Sequence, residues 1–215
     1  MIRDDCIVFI VDDDPRVCEA IGDLLEANGM PSRAFHTIHD FVAFVRPDLP
    51  SCLILDVELP DISGLEFQRQ IGDEDHPPIV FVTGHGDVSS SVRAMKRGAV
   101  DFLTKPFLED EMLDAVDAAI TRNRESRLEL SELSQLQKRF SLLTDREREV
   151  LPLVASGLMN KQAAAELGVS EITLQIHRSK VMQKMEAASL ADLVRFAERL
   201  RIPITHSRRT GVLKK

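Results

Sequence analysis

Four short apolar runs in the first half of the chain end on polar residues, and this repeat limits the possible folds more than any other feature. Residues 6–11 run into Asp12-Asp13, 52–55 into Asp56, 79–82 into Thr83, and 102–104 into Lys105-Pro106. Apolar runs of this length, set between amphipathic stretches, read as strands buried on both faces of a parallel sheet. Strands are predicted at 7–11, 32–35, 52–55, 79–82 and 102–104. Helices are predicted at 16–28, 38–45, 64–71 and 88–97, with a fifth starting near Leu108. Five β-α units with right-handed crossovers make a doubly wound α/β sandwich. Its strands all end on one rim, and open α/β sheets bind ligands in the crevice outside that rim.

Asp12, Asp13, Asp56, Thr83 and Lys105 thus converge on one crevice. Three carboxylates repel one another unless a cation offsets them. Mg²⁺ suits the set, because it takes few carboxylates and keeps several waters. Asp13 and Asp56 are assigned as direct ligands with the Glu58 backbone carbonyl, and Asp12 acts through water. Asp56, central in the sheet, is then the nucleophile that accepts a phosphoryl group as an acyl phosphate. The Lys105 ammonium and the Thr83 hydroxyl bind the transferred group's oxygens. Any one of these positions alone would favour a turn or helix-cap role, and Asp14-Pro15 is read as turn and helix-start chemistry. It is the four endings in order that point to phosphoryl transfer.

These residues resemble the receiver domain of two-component response regulators over about 5–122. The resemblance rests on Asp12-Asp13, on the run from Asp56 through Pro60 to Gly64, on Thr83-Gly84, on Gly98-Ala99-Val100-Asp101-Phe102 and on Lys105-Pro106-Phe107. It implies a flavodoxin-like sheet, a sensor histidine kinase as phosphodonor, and a cis peptide before Pro106. It also implies a switch in which Thr83 moves towards the phosphoryl group and Phe102 turns inward. Many relatives carry tyrosine at the latter position; this chain contains none. Gly84-His85-Gly86-Asp87-Val88 resembles the FixJ branch, with Asp87 as a helix cap and His85 as a loop residue.

Charge divides the chain. Residues 1–141 hold 14 Lys+Arg against 27 Asp+Glu, a net of −13, whereas 142–215 hold 13 against 8, a net of +5. Only the second part is suited to a polyanion. Residues 123–141 are polar and free of Pro and Gly, with Leu130, Leu133, Leu136 and Phe140 at helical spacing, and read as a solvated helical linker continuing the fifth helix. Arg124 and Arg127 interrupt a coiled-coil heptad there.

Beyond the linker, Thr144 and Glu147 form a capping box opening a helix to about Ser156. A second helix covers 160–167, a turn follows at Gly168-Val169-Ser170, and a third covers 171–185, with Ile172, Leu174, Val181 and Met185 as its core stripe. Ser189 caps a fourth. The second and third make a helix-turn-helix, whose later helix enters the major groove.

The residues Leu143-Thr144-Asp145-Arg146-Glu147, Val150-Leu151, Gly157, Asn160-Lys161, Ala164, Leu167, Ser170, Thr173 and His177 resemble the LuxR-type helix-turn-helix over about 142–203. The resemblance implies base contacts at Gln175, Ile176 and Ser179. It implies phosphate contacts at Lys161, Thr173, His177 and Lys180, with Arg178 and Lys184 as further candidates. Glu171 departs from the pattern by setting an anion near phosphate.

The expected organisation is a receiver at 1–122, a helical linker at 123–141, an all-α four-helix module at 142–203 and a basic tail at 204–215 carrying Arg208, Arg209, Lys214 and Lys215. The whole resembles a FixJ/NarL-type response regulator. Phosphorylation of Asp56 is expected to drive homodimerisation through the 88–121 face and binding to promoter DNA, with RNA polymerase as a further partner and activation as the outcome.

An enzyme and an adaptor are the two alternatives to this reading. A haloacid-dehalogenase-type phosphohydrolase needs a second Asp two residues after its nucleophile, where this chain has Glu58. A protein-binding adaptor would lack salt-dependent affinity for duplex DNA. Cys6, Cys18 and Cys52 lack metal-ligand spacing and read as reduced core thiols. No apolar stretch reaches the roughly 20 residues of a membrane span, and the N-terminus lacks a signal-peptide layout, so cytoplasmic residence is expected.

Overall fold

The structure is a computed structural model that describes residues 5–71, 76–84 and 88–204. His85, Asp87 and the basic residues of the tail lie outside the described residues. The first elements alternate as β1 (Ile7–Val11), α1 (Pro15–Ala27), β2 (Ser32–Phe35), α2 (Ile38–Ala43), β3 (Ser51–Asp56), α3 (Gly64–Ile71), β4 (Ile79–Thr83), α4 (Val88–Lys96), β5 (Asp101–Thr104) and α5 (Glu109–Ser141). The strands pair in parallel in the order β2-β1-β3-β4-β5. The order in which strands are added reverses between β1 and β3, the switch point at which such sheets hold ligands.

Alternation of side chains along the strands builds two cores. Val8, Ile10, Ile54, Val80 and Val82 pack with Ile21 and Leu25 of α1 and with Met112, Val116 and Ile120 of α5. Phe9, Val11, Leu53, Leu55 and Phe81 face the other way, onto Phe41, Phe67 and Ala94 of α2, α3 and α4. Every residue of β3 is buried, and each fully buried aliphatic side chain there contributes about 1.5–3 kcal/mol. All three cysteines are buried, and none is joined in a disulfide. Burial pushes Cys18 up to about 11 and Cys52 higher still, so neither is a ready nucleophile.

Two predicted boundaries shift for packing reasons. The helix expected to reach residue 45 stops at Ala43, because the Phe44 ring packs against Phe9 and Phe35 and under the Arg33 guanidinium. The stretch expected as a solvated linker begins as part of the receiver. The chain divides into two compact units between Arg127 and Leu128, within α5. Ahead of that point, the Ser51 amide donates to Asn123 Oδ1 at 3.0 Å, Arg124 pairs with Asp5 at 2.5 Å, and Arg127 pairs with Asp48.

The second unit contains α6 (Asp145–Ala155), α7 (Asn160–Leu167), α8 (Glu171–Lys184) and α9 (Leu190–Arg199). The Thr144–Glu147 capping box opens α6 as expected. Gly168 closes α7 at φ +67°, a left-handed conformation that glycine adopts at little cost. Ser170 and Ser189 cap α8 and α9. Val150, Leu151, Val154, Ala163, Leu174, Val181, Met185 and Leu193 form the core.

Ile172 corrects the predicted stripe: it is 74% exposed. Residues two apart on an α-helix lie about 200° apart around its axis, so Leu174, wholly buried, turns Ile172 to the opposite side. Among the described residues no helix is long and apolar enough to cross a membrane.

Candidate functional site

Asp12 follows β1 directly, Asp56 closes β3, Thr83 closes β4 and Lys105 follows β5, so neighbouring parallel strands bring all four side chains to one rim. Register sharpens the placement. Asp56 pairs with Val82, one residue short of Thr83, and Thr83 pairs with Thr104, one short of Lys105. The Lys105 amide also donates to the Thr83 carbonyl at 2.7 Å. The Lys105–Pro106 peptide is cis, as the resemblance to receiver domains implies.

At the centre of the rim, Lys105 Nζ donates to Asp12 Oδ2 at 2.5 Å and to Asp56 Oδ1 at 3.0 Å. The second oxygen of each carboxylate takes a backbone amide. Asp14 N donates to Asp12 Oδ1 at 3.0 Å and Glu58 N to Asp56 Oδ2 at 2.9 Å. Asp12 is 1% exposed, Asp56 4% and Thr83 0%; Asp13 is exposed. Burial holds the Asp56 carboxyl above its ordinary range, against the pull of Lys105, and the Asp12 charge pushes the same way. Burial alone would lower Lys105, but its bonds to the two aspartates raise it. One ammonium thus faces two buried carboxylates with a third close by in sequence.

That excess of negative charge is what a hard cation would offset. Among the described residues no three acidic, histidine or cysteine side chains form a ready metal cage; the Lys105 ammonium bridges Asp12 and Asp56, and Asp13 faces outward. The donor set still fits Mg²⁺, which uses one or two carboxylates and fills its octahedron with carbonyl oxygen and water.

Gly64 and His36 take supporting roles that no local sequence pattern signals. Gly64 donates its amide to the Val57 carbonyl at 3.1 Å, and a Cβ on it would lie 2.3 Å from the Asp56 carbonyl oxygen. The Asp56 loop can fold back only over a residue without a side chain. His36 Nδ1 lies 3.2 Å from the Asp12 carbonyl oxygen, a contact spanning 24 residues that no local pattern signals. Asp14, expected as a turn and helix-start residue, caps α1 and pairs with Arg16 at 2.9 Å. Phe102 is half-buried with its ring centroid 6.1 Å from that of Phe81.

In the second unit, α8 presents Gln175, Ile176, Ser179 and Lys180 on its exposed side, and Lys161 is exposed on α7. Thr173 is half-buried, its hydroxyl 2.8 Å from Ser170 Oγ. Arg178 donates to Asn160 Oδ1 at 2.9 Å, tying α8 to α7. His177 is half-buried, with Nδ1 enclosed and unpaired. Lys184 departs from its expected phosphate role. Its ammonium donates to Glu147 Oε2 at 2.6 Å and to the Leu142 carbonyl at 3.1 Å, which ties the end of α8 to the start of α6. Glu147 is 2% exposed. Burial would raise its carboxyl, yet Lys184 and the amide and hydroxyl of Thr144 outweigh that and hold it below the ordinary range.

Comparison with known proteins agrees with both halves. The family described as the response regulator receiver domain matches residues 8–117, and that of the bacterial regulatory proteins of the luxR family matches 141–197. The chain belongs to the two-component response regulators of the FixJ/NarL type. It is 48% identical to Nodulation protein W of Bradyrhizobium diazoefficiens, over 96% of this chain and 91% of that one. It is 38% identical to the transcriptional regulatory protein FixJ of Rhizobium meliloti, over 90% and 95%. Among solved structures, that of response regulator StyR matches with a TM-score of 0.80 and 44% identity over 91% of this chain and 99% of that one. The response regulator described here therefore couples a receiver to a LuxR-type DNA-binding domain and regulates transcription.

Proposed function

We propose that Asp56 accepts a phosphoryl group from a sensor kinase's phosphohistidine, and that this controls dimerisation and DNA binding. The observation that carries the reading is the Lys105 ammonium lying between the buried carboxylates of Asp12 and Asp56 at the switch point of the sheet. An ionised Asp56 oxygen attacks phosphorus, the P–N bond of the donor breaks, and its electron pair returns to the imidazole, leaving an aspartyl phosphate. Lys105 turns from bridging two carboxylates to holding a phosphoryl oxygen, and the Thr83 hydroxyl binds another. Asp13, Asp56 and the Glu58 carbonyl would hold Mg²⁺ directly, with Asp12 acting through water. The ion supplies charge neutralisation that lets an anionic donor approach. A cleft of about 550 Å³, lined by Val17, Ala20, Leu24, Pro106 and Phe107, opens beside Lys105 and offers a donor protein a surface within reach of Asp56.

Occupation of Asp56 draws Thr83 towards the phosphoryl group and Phe102 inward. That repacks the 88–121 face, where Val88, Val92, Met95 and Leu108 stand exposed, and two such faces associate. The paired DNA-binding units then engage promoter DNA. Gln175, Ile176 and Ser179 face the bases, and Lys161, Thr173, His177 and Lys180 the phosphates, with Arg178 beside them. Transcription rises through contact with RNA polymerase.

The test treats the full chain with acetyl phosphate and Mg²⁺ and locates the adduct by mass spectrometry. A phosphoryl group on Asp56, absent in Asp56→Asn, is the expected result. Modification elsewhere, or none, refutes the assignment.

A further inference from the structure

The recognition helix carries two large aliphatic side chains with no place in the core. Ile172 is 74% exposed and Ile176 52% exposed. Four residues apart, they stand about 40° from each other around α8 and one turn apart along it, on the side opposite Leu174. Donors flank them: Gln175, Ser179 and Lys180 are exposed on the same helix and Lys161 on α7. With Lys161 and Lys180 both exposed, the face carrying this apolar pair is complementary to a polyanion. In the major groove of DNA, the one base feature an aliphatic side chain reads is the C5-methyl of thymine. Ile172 is the second residue of a helix capped by Ser170, and it is the N-terminal residues of a recognition helix that meet base edges.

We infer that Ile172 is a specificity-determining residue acting together with Ile176, and that the half-site this protein prefers presents thymine methyls to both. This rests on the DNA-binding reading above and adds to it a residue and a base. The roughly 6 Å between residues one turn apart on the helix spans about two base steps of duplex, so the two methyls belong to neighbouring or alternate positions. Gln175, between the two isoleucines in sequence, supplies the hydrogen-bonding contact.

The experiment uses full-length protein treated with acetyl phosphate to select duplexes from a random-sequence pool. Each thymine of the recovered site is then replaced singly by deoxyuridine, which removes only the methyl. Wild type should lose about three- to fivefold in affinity at two positions, the factor for one methyl-sized group returned to water. Ile172→Ala should bind the thymine duplex more weakly and be indifferent to deoxyuridine at one of those positions; Ile172→Val should keep most of the penalty. Because Ile172 is outside the core, circular dichroism should show each variant folded as wild type. Enrichment of a site whose thymines all tolerate deoxyuridine, or an unchanged penalty in Ile172→Ala, overturns this inference alone. A pool showing no salt-dependent duplex binding overturns the DNA reading, and this inference with it.

Discussion

At the scale of single residues, the site is held in tension that substitution can release. Burial and the Asp12 charge make the Asp56 carboxylate costly in the folded chain, so its ionisation weakens the fold as pH rises through the elevated pKa. Asp56→Asn should therefore melt a few degrees higher than wild type in metal-free buffer. Added Mg²⁺ should raise the melting temperature of wild type more than that of the variant, which keeps only Asp13 and the Glu58 carbonyl of the direct ligands. Equal stabilisation of both by Mg²⁺ would remove Asp56 from the metal site. Lys105→Ala leaves two buried carboxylates facing each other. Breaking a buried pair costs about 3–5 kcal/mol, and the part-exposed lysine brings the expectation to about 2–3 kcal/mol, readable by urea denaturation and partly recovered by Mg²⁺. Gly64→Ala drives a Cβ into the Asp56 carbonyl. A loss of about 1–3 kcal/mol is expected, with slower labelling by acetyl phosphate because the acceptor is displaced.

The elements explain what could be read in advance and what could not. Rim residues were legible because a parallel strand fixes where its end lies, and Asp12, Asp56, Thr83 and Lys105 each meet a strand end. Ile172 was misread because α8 has apolar residues at both 172 and 174, and only burial of Leu174 decides the helix's phase. The Lys184 ion pair was not legible for another reason: its partner Glu147 lies 37 residues away, and no local pattern links a helix end to a distant cap. That pair has its own pH signature. The Glu147 carboxyl is held below its ordinary range in the fold, so its contribution is complete above the unfolded value of roughly 4–5 and fades as pH falls through the folded one. Acid titration followed by the α8 amide signals in NMR should show this loss in wild type and not in Glu147→Gln. One turn earlier on α8, Lys180→Ala should weaken duplex binding evenly across sequences and reduce the salt slope by about one.

For the whole molecule, the polar stretch after the receiver read as linker because composition alone cannot reveal which charges pair. Arg124 and Arg127 reach back to Asp5 and Asp48, so the first unit extends past the boundary drawn from sequence. The division of charge was legible, since it needs only counting, and it assigns the polyanion to the second unit. Dimerisation through the 88–121 face predicts that Val92→Asp stays folded and is phosphorylated, yet runs as a monomer in size-exclusion chromatography after acetyl phosphate treatment. A dimer of unchanged mass would move the interface elsewhere. The central claim is that a phosphate on one buried aspartate governs a helix that reads DNA. The most direct measurement is the affinity of full-length protein for its selected duplex, at fixed salt, before and after phosphorylation, in wild type and Asp56→Asn. The account predicts a marked tightening in wild type alone; equal tightening in both proteins, or none in either, would contradict it.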